Sequence, residues 1–366
     1  MRGQLSAASQ QRVKRVVSPA LRASARPRIA MHPGASVGGP YVTSLAESLN
    51  LIGWEVVAPG IRPLVSGEVD VLHVHWPEQL FRHSARTATL WLAAIGAAKA
   101  RGTKVVMTVH NLAPHDPQPM QSRRGIRALE RLCDGLVLHG EDSLDLLAQR
   151  RRSLAMKPSV VAPHGDLRIH GELPDRAEAR AALGLTNSQF VLLAAGAIRS
   201  YKQLPGLAEA FHGAAFGPNI AMIIAGRPAD AADTKALHRA ASASLRFRPE
   251  RLSDAELLMM VAASDAMVSN YSEIHTSGAA HLALSYGRPF LGPSIGLLPE
   301  MRRQYGSAVR LFEPPLDAAK LRAAVSDLLT VRKHEAALPS WAASAANHAE
   351  LYERLLRRSI WRRRPS

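Results

Sequence analysis

The chain has 366 residues, 47% of them hydrophobic, and 46 lysines and arginines against 30 acids give it a net charge of +16. That length suits two domains of ordinary size, and the apolar content excludes wholesale disorder. A lone cysteine, Cys133, excludes a disulfide within the chain, and the longest uncharged apolar stretch, near 91–98, is far short of the roughly 20 residues of a spanning helix.

The first 30 residues carry Arg2, Arg12, Lys14, Arg15, Arg22, Arg26 and Arg28 with no acid and no apolar run behind them. This predicts a basic tail over 1–27 rather than a secretory signal, and with the single thiol it points to the cytoplasm. Short β-branched runs then alternate with amphipathic stretches, the pattern of parallel α/β domains. Strands are predicted at 28–32, 55–58, 69–73, 104–110, 135–138 and 159–162, with helices near 40–52, 84–100, 124–133 and 141–151. Arg123, Arg124, Arg127 and Arg131 fall on the third of these helices. The segment 164–174, rich in glycine, proline and histidine, reads as a linker between a first domain over 28–163 and a second over 175–335. Strands resume at 190–194, 221–225, 245–247, 266–269, 289–291 and 308–312, and a last helix is predicted from 340 to 357 within a C-terminal segment 336–366. That segment ends in Arg357, Arg358, Arg362, Arg363 and Arg364, interleaved with Leu355, Leu356, Ile360 and Trp361. Such clusters attract polyanions, including anionic lipid and phosphorylated substrates. Few aromatics accompany them and no nucleic-acid-binding motif is present, so nucleic acid is not an expected partner.

In open parallel sheets ligands bind beyond the carboxyl ends of strands, so the loops there carry the functional argument. After the first strand, Gly38, Gly39 and Tyr41 precede a helix; the glycines allow close backbone approach, although the dinucleotide fingerprint is absent. After the third comes His73-Val-His75-Trp76-Pro77-Glu78, where an indole suits stacking on a sugar and imidazole and carboxylate can exchange protons. Metal ligation by His73 and His75 and a packing role are the alternatives, and no third ligand is evident. After the fourth, His110, Asn111, His115 and Asp116 form a second polar group, with satisfied loop residues as the bland reading.

In the second half, Gly196 is followed by Arg199 and Lys202, spaced to hold a diphosphate. Glu273, Thr276, Ser277 and Gly278 lead into an apolar helix whose N-terminus is a natural phosphate seat, or a plain cap. Together these loops predict a diphosphate clamp made without a metal.

Taken together, these residues resemble the GT-B glycosyltransferases along nearly the whole chain, with a broader similarity to glycosyltransferase family 4. More narrowly, Asp70-Val-Leu-His-Val-His-Trp-Pro-Glu78 with Arg82-His83, and Thr108-Val-His-Asn-Leu-Ala-Pro-His115, resemble bacterial exopolysaccharide β-1,4-mannosyltransferases that use GDP-mannose on a lipid-linked oligosaccharide, as in xanthan assembly. Gly196-Ala-Ile-Arg-Ser-Tyr-Lys202 and Ser277-Gly278 with Leu282-Ala-Leu-Ser285 support only the fold and the type of donor.

The resemblance implies two Rossmann-like domains whose parallel sheets face across a cleft, with the C-terminal helix crossing back to the first domain. It implies a nucleotide-sugar donor held by Gly196, Arg199, Lys202, Arg227, Glu273, Thr276, Ser277 and Gly278. Acceptor contacts fall to Gly39, Tyr41, His75, Trp76, Asn111 and His115. Retaining relatives carry a second glutamate where Leu282 stands here, which favours an inverting transfer and a β linkage. The base is then expected in the first domain, in the order Glu78, His110, Asp116. No cofactor is expected. The enzyme is expected in the cytoplasm, peripheral on the inner face of the membrane. Rival readings are a GT-B transferase using UDP-glucose or UDP-glucuronate, a sugar-nucleotide epimerase, or a non-catalytic polyanion-binding protein.

Overall fold

The computed structural model describes residues 26–114, 117–168, 171–330 and 337–361. Twelve strands form: β1 Arg28–His32, β2 Glu55–Val57, β3 Val71–Val74, β4 Lys104–Thr108, β5 Gly135–Leu138, β6 Ser159–Val161, β7 Phe190–Ala195, β8 Ile220–Ala225, β9 Leu245–Arg248, β10 Ala266–Val268, β11 Phe290–Pro293 and β12 Val309–Phe312. All pair in parallel within two six-stranded sheets, ordered β2-β1-β3-β4-β5-β6 and β12-β11-β10-β7-β8-β9. The chain divides into two units: one runs to Gly165 and resumes at Pro339, the other spans Asp166–Leu338.

Every predicted strand forms, but β3 begins two residues later than its composition suggests and β4 stops at Thr108. Two short helices, Ile61–Val65 and Glu78–Phe81, were not legible, since four or five residues show no helical period.

In the first unit one sheet face is covered by the helices Ile61–Val65, Glu78–Phe81, Ala85–Arg101, Met120–Leu132 and Ser143–Ala155. Their apolar residues meet Ala30, Leu72, Val74, Val105, Met107, Leu136 and Leu138. Among the described residues of the early chain, only the helix Gly39–Leu51 comes to the other face, too little to cover six strands. The helix Trp341–Trp361 returns to complete it, with Asn347 donating to the Val161 carbonyl (2.8 Å) and Arg354 to that of Ser159 (2.7 Å). Strand alternation aims Ile29, Met31, His73 and Val106 at this face.

The second unit has the doubly-wound order, with β7 and β10 central and β8-β9 and β11-β12 on either side. Its buried cation Arg180 is fully enclosed. It donates to the carbonyls of Ala263, Thr186, Asn187 and Gln189 at 2.8–3.0 Å and to Asp265 at 2.7 Å, while Asp265 accepts from the amide of Val191. One guanidinium thus satisfies a whole turn before β7 and the end of the helix Asp254–Ala263. Removing one partner of such a buried pair costs about 3–5 kcal/mol, because the rest stays buried and unpaired. We expect Arg180→Ala to lower native-state amide protection at Val191 and Met267 by that amount in the full chain. A loss under about 1 kcal/mol would show that the carbonyls find other partners.

Candidate functional site

In an open parallel sheet a crevice forms where neighbouring strands send their connections to opposite faces. Here that happens twice, between β1 and β3 and between β7 and β10. The polar loops cluster at those two places.

At β7, Gly196 and Gly226 stand in the left-handed half of backbone space, with φ of 106° and 148°. They are pressed together: a Cβ on Gly226 would lie 2.1 Å from the Gly196 carbonyl oxygen. The contact continues as Ile198 donates to the Arg227 carbonyl and Ala229 to that of Ile198, both at 2.9 Å. Above this floor the chain makes a 3-10 turn, Ser200–Lys202, which swings the Lys202 ammonium back over Gly196, 3.3 Å from where a Cβ would stand. Burial, and then the Arg199 guanidinium, push Lys202 down to about 8. Lys202 and Arg199 carry like charge in a part-buried place, so an anion bound beside Lys202 would favour its charged form.

The loop after β10 packs against this turn. Ser272 donates to the Tyr201 carbonyl through its amide (2.8 Å) and hydroxyl (3.2 Å), and Asn270 donates to the Gln203 carbonyl (3.0 Å). Tyr271 stacks with Tyr201 at 6.0 Å between ring centres and shares a 3.1 Å hydrogen bond with Ser277. Ser277 caps the helix Gly278–Ser285, its hydroxyl accepting from the Ala280 amide (3.2 Å), so its oxygen is committed to the helix start. Thr276 keeps a buried hydroxyl with no hydrogen-bond partner among the described residues, and Gly278 is open to solvent with nothing near its α-carbon. Of the eight predicted donor contacts, Gly196, Arg199, Lys202, Thr276, Ser277 and Gly278 therefore lie on two interlocked loops. Arg227 and Glu273 are exposed at their margins, and Leu282 is buried in the helix beyond. Asn270 and Tyr271, which tie the loops together, were passed over because neither forms part of a charge pattern.

At β3, His73 on the strand and His75 just past its end stack at 4.3 Å. His73 is a core residue: Nδ1 is 2.5 Å from the Tyr352 hydroxyl and Nε2 is 2.8 Å from Thr108 Oγ1. Burial holds both imidazoles well below their usual range, with neighbouring imidazoles adding to the effect. His75 Nδ1 lies 3.2 Å from His110 Nε2, and His110 Nδ1 lies 3.3 Å from Nε2 of His139, which stands just beyond β5. Tyr41, expected on the acceptor side, is turned inward instead. The helix Gly39–Leu51 starts early enough to put Tyr41 on its buried stripe, where its ring is ringed by His75, His110, His139, His164 and Trp341. His75, also expected on that side, is buried likewise. Gly39 lies exposed at the start of that helix. Trp76 is half-buried and stacked on His110 at 4.5 Å.

Glu78 opens its short helix and lines one cavity with Trp76, His110, Asn111, Glu130 and Arg151. The Glu130–Arg151 ion pair on that wall was not foreseen, because its partners sit on separate helices. His139 was missed as well, although a histidine just past a strand end was the signal already used for His75 and His110. His115 and Asp116 lie outside the described residues, as do 1–25 and 362–366 of the two basic ends. Among the described residues no group of three or more His, Cys, Asp or Glu side chains is arranged to hold a metal ion.

No protein-family model matches the chain. It is 30% identical over 319 residues to a GDP-mannose:glycolipid 4-beta-D-mannosyltransferase of Xanthomonas campestris pv. campestris, covering 83% of this chain and 85% of that one. Among solved structures it is similar to a sucrose-phosphate synthase from Thermosynechococcus elongatus (TM-score 0.62, 15% identity, 92% of this chain and 98% of the other). It is also similar to Anabaena HepE in complex with UDP (TM-score 0.61, 14% identity, 92% and 99%).

The lowered Lys202 gives the second site a pH signature. A bound dianion favours the charged amine, so the value near 8 should rise toward that of an ordinary lysine. Below about pH 7 the amine is already charged and binding takes up no proton. Between the free and bound values, binding takes up one, and affinity falls by up to about tenfold per pH unit as pH rises above 8. Calorimetric titration of a nucleoside diphosphate at pH 8.5, in buffers of different ionisation enthalpy, should show this uptake. A buffer-independent heat would remove Lys202 from contact with the anion.

Proposed function

Since the chain belongs to the GT-B glycosyltransferase family that includes the Xanthomonas GDP-mannose:glycolipid 4-beta-D-mannosyltransferase, we propose that it transfers mannose from GDP-mannose, with inversion, to a lipid-linked oligosaccharide in exopolysaccharide assembly. The observation that carries this reading in the structure is Arg199 and Lys202 over the glycine floor, beside a helix N-terminus and the buried Thr276 hydroxyl. That arrangement, in which the Thr276 hydroxyl has no hydrogen-bond partner among the described residues, suits a leaving nucleoside diphosphate. The departing charge is met by the chain's own cations, and we assign no metal to the step.

On the acceptor side Glu78 is the base. His110 is less suited, because both its ring nitrogens lie within hydrogen-bond distance of neighbouring imidazoles. Glu78 takes the proton of the acceptor hydroxyl as the oxygen bonds to the anomeric carbon and the bond to the diphosphate breaks. Trp76 lines the same cavity as Glu78, with Asn111, and is the indole on which an acceptor sugar would stack. Glu78→Gln keeps the shape and loses the basicity, so turnover should fall by about 10²–10⁴ with GDP affinity unchanged. Near-normal turnover would exclude Glu78. Assaying GDP-mannose beside UDP-glucose tests the donor, and preference for UDP-glucose would overturn the mannosyl assignment.

We further propose that the enzyme works in the cytoplasm on the inner membrane face. No helix among the described residues is long and apolar enough to cross a membrane. The helix Met120–Leu132 buries Ser122, Gly125, Ile126 and Leu129 and turns Arg123, Arg124, Arg127 and Arg131 to solvent beside an exposed Met120. Near an anionic leaflet each such cation contributes about 1 kcal/mol. Reversing Arg123, Arg124 and Arg127 to glutamate in the full chain should weaken association with phosphatidylglycerol vesicles at least about tenfold at low salt. Equal pelleting of the unaltered protein with neutral and anionic vesicles would sink the membrane reading.

A further inference from the structure

We propose that His75, His110 and His139 form one tautomer-locked chain of neutral imidazoles, anchored on the Ala162 carbonyl. In it His139 and His75 are positioning residues that hold His110 under Trp76 with its lone pair turned inward. The argument starts at the anchor. A carbonyl oxygen only accepts, so His139, whose Nδ1 lies 3.0 Å from the Ala162 oxygen, carries its proton on Nδ1. Its Nε2 is then a lone pair and accepts from His110 Nδ1, 3.3 Å away. The same step repeats: His110 Nε2 accepts from His75 Nδ1 at 3.2 Å. The nitrogen on which a neutral imidazole bears its proton is set by the bond the other nitrogen makes, so one backbone oxygen fixes three rings.

The chain ends on His75 Nε2, which is buried, with no hydrogen-bond partner among the described residues. That is where this logic leaves a bare lone pair. The residue is 1% exposed, so the end is closed to bulk water. The rings span the carboxyl ends of β3, β4 and β5, crossing the sheet at right angles to its strands. Packing adds to the lock: Trp76 lies nearly parallel on His110, 16° between planes, and Tyr41 meets the same ring edge-on at 4.9 Å. The consequence for the site is directional. His110 cannot offer Nε2 to a substrate without breaking its bond to His75, so it sets the place of the Trp76 indole rather than moving a proton. This functional half rests on the glycosyl-transfer reading; the tautomer half does not.

The test uses the full-length protein labelled with 15N in histidine. Long-range proton–nitrogen correlation at neutral pH should show His75, His110 and His139 protonated on Nδ1 and bare on Nε2. A proton on Nε2 of His110 or His139 would overturn the chain outright, with no variant needed. His139→Leu removes the acceptor for His110 Nδ1, so His110 should shift to the Nε2-protonated form or a mixture. kcat should then fall roughly ten- to a hundredfold, as when an orienting partner is lost, at unchanged KM for the donor. His139→Gln, whose side-chain oxygen reaches the place of Nε2, should restore the His110 tautomer and most of kcat. An unchanged His110 tautomer in His139→Leu, or equal loss of kcat in the leucine and glutamine variants, would refute the positioning role. Correct tautomers in a protein that transfers no sugar would leave the chain standing and reject the transfer reading instead.

Discussion

Parallel pairing of β3 with β1 and of β10 with β7 places everything else. Each pair is a point where the chain, having wound outward along one half of a sheet, returns to wind along the other. The flanking connections part there and leave the carboxyl ends of two strands uncovered. Backbone groups at those ends have no further strand to bond and must be satisfied by loop geometry. In the second unit the answer is two interlocked turns over a pair of glycines. In the first it is a row of imidazoles. Both depend on the sheets being closely packed, since a site built on loops holds its shape only when the loops tie to rigid elements.

The fold was legible to within a few residues because buried parallel strands are short apolar runs and their helices are amphipathic. What composition did not reveal was which face each residue takes. His73 and His75 differ by two positions and stack together, yet one is core and the other ends a polar chain. The partner that settles His73, Tyr352, lies 279 residues along the chain. Tyr41 went inward for a similar reason: the register of the helix Gly39–Leu51 decided it, and that register was set by Val42, Leu45 and Leu49. The cation pair at Arg199 and Lys202 was more readable. Its spacing and its glycine are local, and local patterns are what a sequence displays most directly.

The return of the C-terminal helix connects fold to chemistry. Without it, the sheet face bearing His73 would keep, among the described residues, the helix Gly39–Leu51 alone, and His73 would lose its cover. With it, Tyr352 bonds His73, Trp341 closes on Tyr41 and His164, and Gly165 leaves room for the Trp341 ring, which a Cβ would overlap at 2.4 Å. The helix therefore does more than finish a core. It takes away the water that would otherwise charge the imidazoles.

That desolvation divides the electrostatics between the two units. In the first, burial lowers His32 to about 4 and holds His73 and His75 well below ordinary imidazoles, and neighbouring imidazoles add to the lowering of those two. His73 and His75 thus favour their neutral form and offer stacking faces and fixed dipoles. In the second unit burial acts on a cation, Lys202, and the neighbouring Arg199 guanidinium lowers it further. One physical effect, removal of water, thus favours the neutral form in both places, of imidazoles in the first unit and of an amine in the second.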